Sequence, residues 1–125
     1  MSSAKKVSTP HAPQPAGNYS QAVRLGPMVW TAGFGPQDPV TGEISDDVAE
    51  QTRQVLRNVA AALQAAGLRL DDVVKTTVHL ASLDDFAEFN AAYGEFFSEP
   101  LPARTTVGSE LAGIKVEIDV VAGRV

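Results

Sequence analysis

Cysteine is absent from the 125 residues, which excludes a disulfide framework, a thiolate zinc site and a cysteine nucleophile. Histidine occurs only at His11 and His79, with no second histidine at ligand spacing, so no metal is expected. No uninterrupted apolar run approaches the ~20 residues of a membrane helix. The first residues, MSSAKK, do not lead into a hydrophobic signal core, so the expectation is a cytoplasmic protein with no membrane partner. An excess of positive charge is also missing. Ten Lys+Arg against 15 Asp+Glu leave a net charge of −5, which opposes attraction to phosphate backbones and makes nucleic acid an unexpected partner. Nucleotide-binding motifs are lacking too: Gly33-Phe34-Gly35 runs into Pro36 and not into a third glycine opening a helix. No cofactor is expected.

What is present suits a folded domain. The chain is 44% hydrophobic and 20% charged, ample for a core at this length. Residues 1–17 mix Pro, Ser, Lys and Gly without apolar periodicity, and are expected to form a mobile or loosely docked lead-in. The boundary is drawn as a flexible segment 1–12 followed by one domain, 13–125. Short apolar runs at 21–25, 28–33, 73–81, 103–107 and 115–122 read as strands, and the tract 37–43 as a turn-rich loop. Between 46 and 66, Val48, Val55, Leu56, Val59, Leu63 and Ala66 fall on one helical face that Gly67 terminates. A second helix is expected from Ser82, which with Asp85 resembles a capping box, up to the Pro100-Leu101-Pro102 break. Phe86, Phe89, Tyr93, Phe96 and Phe97 supply five of the eight aromatics here; a core stripe explains them better than a cofactor box. The order β, β, β, α, β, α, β, β predicts an α+β two-layer sandwich: a mixed six-stranded sheet with both helices on one face.

Few residues offer chemistry. His79 reads as structural, Ser82 as a cap, and Ser20 lacks an evident base. Lys75 shares the Thr77/His79 face of its strand; a solvated or interface lysine is the default, a Schiff-base lysine the other reading. What remains is Arg104 with Glu117. If the last two strands pair antiparallel, both side chains share the polar sheet face, where a planar guanidinium fork can grip a carboxylate and a carboxylate can exchange protons. An ordinary cross-strand salt bridge satisfies the same pattern.

An ordered set of blocks adds to this. The chain carries Gly17-Asn18-Tyr19-Ser20-Gln21-Ala22-Val23, Ala32-Gly33, Asp38-Pro39-Val40-Thr41-Gly42-Glu43 and Gln51-Thr52-Arg53-Gln54-Val55-Leu56-Arg57-Asn58. Then follow Asp72-Val73-Val74-Lys75-Thr76-Thr77-Val78, Phe89-Asn90-Ala91-Ala92-Tyr93, Pro102-Ala103-Arg104-Thr105-Thr106-Val107 and Val116-Glu117-Ile118. From about residue 12 to the end this resembles the RidA/YjgF family of reactive-intermediate (enamine/imine) deaminases, also labelled the L-PSP endoribonuclease family. The resemblance implies a chorismate-mutase-like fold and a homotrimer with clefts between subunits. It implies hydrolysis of 2-aminoacrylate and related 2-imino acids to 2-keto acids and ammonia, without metal or organic cofactor. By position, Arg104 corresponds to the carboxylate-binding arginine and Glu117 to the acid near the reacting carbon. Tyr19, Gly33 and Asn90 match residues that line the cleft.

Three departures stand out. The family commonly has Ser-Gly-Gln where this chain has Ala32-Gly33-Phe34, so Phe34 either enlarges the pocket toward a bulkier substrate or steers it from the standard reaction. Thr106 replaces a frequent cysteine but keeps a backbone N–H for the ligand. Asn18 stands where proline is common. Two other functions fit the same residues: a non-catalytic trimer that captures 2-keto acids through Arg104, and the ribonuclease or translation-inhibitor role of the family's other label, which the acidic charge opposes.

Overall fold

Helix α1 (Val48–Ala65) begins where Asp47, in extended conformation, accepts a hydrogen bond from the Glu50 N–H. It stops at Gly67, whose φ of 78° admits glycine readily. There the Leu68 N–H reaches back to the Leu63 carbonyl at 2.9 Å. A computed structural model describes residues 3–125 of the chain. The apolar face of α1 is fully buried at Val55, Leu56, Val59, Ala62 and Leu63, each of its valine and leucine side chains stabilising the fold by about 1.5–3 kcal/mol.

The remaining elements are β1 (Lys5–Val7), β2 (Ala22–Leu25), β3 (Met28–Thr31), β4 (Val73–Leu80), α2 (Phe86–Gly94), β5 (Ala103–Gly108) and β6 (Val116–Gly123). The sheet has six strands in the order β1-β2-β3-β6-β4-β5. Every neighbour is antiparallel except β4 and β5, which run parallel. Val78, Leu80, Val116, Ile118 and Val120 on the inner face pack against the helices and are at most 1% exposed. The two-layer α+β sandwich expected from the element order is the architecture found.

Three local expectations need correction. The lead-in is not loose over residues 5–12: β1 adds to the sheet beside β2, and Val7, Thr9 and Ala12 are buried. Residues 1 and 2, also part of that expectation, lie outside the described residues. Gln21 provides the physical reason. Its buried side chain accepts from the Thr9 N–H at 2.7 Å and donates to the carbonyls of Thr9, Ala12 and Pro13, so it satisfies backbone groups of a proline-rich segment that forms no ladder. Second, α2 is shorter than the aromatic stripe. Ser82 caps a 3-10 turn (Leu83–Asp85) by accepting from the Asp84 N–H, and Phe96 and Phe97 lie past the helix end. Third, β5 and β6 do not pair. β4 lies between them, because the parallel β4–β5 crossover through α2 places β5 on the sheet edge.

Candidate active site

The inserted strand changes how Arg104 and Glu117 relate. Arg104 stands opposite Thr76 of β4, a residue buried beneath α2, so it belongs to the helix-covered face. Glu117 stands opposite His79, on the face that carries no helices. The two side chains therefore lie on opposite faces of one sheet, not on a shared one. Three residues of register separate them along β4. With two strand spacings this puts them roughly 10 Å apart along the strands and roughly 10 Å across.

Each gathers its own partners. Arg104 lies over the aromatic row of α2, its Cζ 4.8 Å from the Tyr93 ring centroid and 5.5 Å and 5.7 Å from those of Phe86 and Phe89. Its Nη1 donates to Asn90 Oδ1 at 2.8 Å. Among the described residues no carboxylate is within ion-pair distance of Arg104. A guanidinium has five N–H donors, and Asn90 is its one hydrogen-bond partner among those residues. Tyr93 anchors the platform: its hydroxyl is 2.9 Å from that of buried Thr76, and burial pushes its pKa up. Thr106 follows on the same face of β5, opposite Val78. An open cavity of about 490 Å³ adjoins Arg104 and Asn90.

The second group forms around Glu117. Tyr19, half-exposed, lines two adjoining cavities of about 510 Å³ and 260 Å³ with Gly33 and Glu117. The Ala16 N–H donates to the Tyr19 hydroxyl at 3.1 Å. Gly33 is the seat of the carboxylate: a Cβ there would be 3.0 Å from Glu117 Cδ and far closer to Oε1. Phe34 pairs its backbone with Ile118 in both directions; its side chain, 4% exposed, belongs to the core, and the residue also lines the smaller cavity.

Two residues that shape this group went unmarked as site residues in the sequence. Asn58 on α1 donates to the carbonyls of Gly35 and Gln37 at 3.0 Å and 2.9 Å, fixing the loop that leaves Gly33. Gln21 ties the lead-in beside Tyr19. Both were legible as amides on otherwise apolar faces, since a buried amide must find partners. The other candidates have local roles. Lys75 Nζ donates to Thr105 Oγ1 at 2.6 Å, and His79 Nδ1 is 2.8 Å from Ser109 Oγ. Burial of Asp119 pushes its carboxyl up, against the pull of His79 and Lys75. Among the described residues no three His, Asp or Glu side chains gather as a metal site. No helix among them is long and apolar enough to cross a membrane.

A family model described as Endoribonuclease L-PSP matches residues 9–123. The chain is 46% identical to the 2-iminobutanoate/2-iminopropanoate deaminase of Salmonella typhimurium, over 96% of this chain and 98% of the relative. It is 50% identical to a RutC family protein of Pyrococcus horikoshii, over 81% of each. Among solved structures, the YjgF gene product of Escherichia coli superposes with a TM-score of 0.91 at 46% identity, covering 96% of this chain and 98% of that one. Escherichia coli TdcF with bound serine gives 0.91 at 42%, covering 97% and 99%.

Proposed function

Because the chain belongs to the endoribonuclease L-PSP family, that of RidA and YjgF, we propose that it hydrolyses 2-imino acids to 2-keto acids and ammonia, at clefts built between copies. The observation that carries this reading is Arg104. It is held flat by three rings and Asn90 while facing no carboxylate of the described residues, which suits a small organic acid gripped by two parallel donors.

The chemistry needs little more. With C2 of the imine fixed by its carboxylate, the oxygen of a water bonds to C2 as the C=N π pair moves to nitrogen, which takes a proton. The resulting carbinolamine loses its hydroxyl proton, the carbonyl forms, the C2–N bond breaks, and ammonia leaves. Glu117 takes the proton of the attacking water and returns it to the departing nitrogen. Tyr19 and Gly33 frame that carboxylate, and the Thr106 backbone N–H adds a donor for the ligand. An imine carbon is electrophilic already, so the reaction uses no metal or organic cofactor.

The placement of the groups supports assembly. One copy holds Arg104 and Glu117 on opposite faces, too far apart for one three- or four-carbon acid. In a homotrimer, Arg104, Asn90 and Thr106 of one copy meet Tyr19, Gly33 and Glu117 of the next. The helix-free sheet face suits burial, since Leu25, Trp30 and Val107 lie exposed on it. A cytoplasmic location goes with this reading, since imino acids hydrolyse in water before travelling far.

The test is ammonia and keto-acid release from imino acids generated in situ by an amino-acid oxidase, with semicarbazide as a competing trap. Faster release with the wild-type chain and its loss in Arg104→Ala are expected. Release no faster than in buffer, with 2-keto acid still bound, would replace catalysis by simple capture. RNA cleavage that vanished in Arg104→Ala would turn the reading to the ribonuclease role.

A further inference from the structure

The cavity of about 490 Å³ beside Arg104 and Asn90 continues over Tyr93, Gly94, Phe97, Leu101 and Pro102. A carboxylate clamp needs none of these. The volume falls in the range of cavities that take small-molecule ligands, about 300–1,000 Å³, and far exceeds the needs of a three-carbon acid. Apart from Arg104 and Asn90, the walls are apolar or aromatic, with Leu101 57% exposed. Gly94, the last residue of α2, adds open space: a Cβ placed there meets nothing within 4 Å, and its φ is not positive. Glycine is thus not demanded by the backbone at this position; what its lack of a side chain provides is room.

The geometry points to a side-chain subsite. An acid clamped by Arg104 extends its carbon chain along Gly94, Phe97 and Leu101, so that long, unbranched apolar 2-imino acids are preferred over the imine of alanine, with Gly94 and Leu101 setting the permitted length. This rests on the clamp role of Arg104. Each methylene buried against these walls raises kcat/KM about fourfold until the cavity is filled.

The test compares imino acids made in situ from alanine, 2-aminobutyrate, norvaline and norleucine. The wild-type chain is expected to show kcat/KM rising with length. Gly94→Leu, which also favours the helix, is expected to lower the norleucine-to-alanine ratio of kcat/KM at least tenfold, and Leu101→Ser severalfold, with the mass in solution unchanged. A flat length profile in a chain that still requires Arg104 overturns the subsite alone. So does a Gly94→Leu chain whose ratio is unaltered, or one whose assembly is broken, since the cavity is then an interface. Activity that does not depend on Arg104 overturns the clamp itself.

Discussion

Replacing Gly33 by alanine adds one methyl group at the point where the Glu117 carboxylate rests. The new Cβ would stand 3.0 Å from Cδ and 3.2 Å from Cγ, and nearer still to Oε1, whereas ordinary Cβ contacts begin at 3.4 Å. Gly33 is not among the glycines with positive φ, so alanine brings no backbone strain, and the yielding partner is the far end of a flexible side chain. The carboxylate therefore swings aside by more than about 1 Å, a displacement that costs on the order of 100-fold when it misplaces a catalytic group. That corresponds to about 2.7 kcal/mol of transition-state stabilisation. In the proposed mechanism, clamping of the substrate belongs to the Arg104 group and is untouched. The expected result is kcat down about 100-fold, approaching Glu117→Gln, with KM changed less than about threefold and an unaltered Tm. Steady-state kinetics and calorimetry on the purified variant check this. Wild-type kcat in Gly33→Ala, with the fold intact, would refute a catalytic carboxylate at that seat.

Three further outcomes follow from the same structure. Arg104→Lys keeps the charge but loses the fork, and forfeiting one charge-assisted hydrogen bond of about 1.5–3 kcal/mol lowers kcat/KM by about 10- to 100-fold, mostly through KM, in initial-rate assays. Asn58→Ala strips the partner from the part-buried Gly35 and Gln37 carbonyls; a fully buried unsatisfied acceptor costs about 1–3 kcal/mol, and part-burial keeps these two below the upper end, so urea unfolding should show a loss of about 2–4 kcal/mol. Asp72 accepts from Arg124 and the Arg69 N–H, which hold its carboxyl below the ordinary carboxylate range. A depressed folded pKa gives stability present above the unfolded value and lost as pH falls through the folded one. Asp72→Asn is thus less stable than wild type at pH 7, by a margin that closes in melts taken at progressively lower pH.

The helices and five of the six strands were legible because their signals are local: apolar spacing of three, four and seven in α1, alternation in β6, the stop at Gly67. β1 was not, since three residues with two lysines carry no period, and what docks them is the ladder with β2, from Val7 opposite Ala22 to Lys5 opposite Arg24. The order of the strands was equally hidden. Nothing in residues 103–122 says that β4 will insert between β5 and β6, because that depends on the crossover through α2. The site was legible as a set of residues and illegible as an arrangement. Arg104 and Glu117 stand out by type, but their faces follow from the register with Thr76 and His79. Phe34 was legible as a neighbour of the pocket glycine, but not as a core side chain, because its burial follows from the isolated bridge to Ile118.

The proposed division of Arg104 and Glu117 between neighbouring copies is tested most directly by mixing inactive chains. Arg104→Ala and Glu117→Gln are each expected to be inactive as pure assemblies. Unfolded together in equal amounts and refolded, they are expected to form mixed trimers in which a cleft is intact when its arginine comes from one variant and its glutamate from the other. Random assembly in a closed ring makes about a quarter of the clefts intact, so about a quarter of wild-type activity should return. No recovery, from mixtures shown by mass to contain both variants, would contradict the shared site.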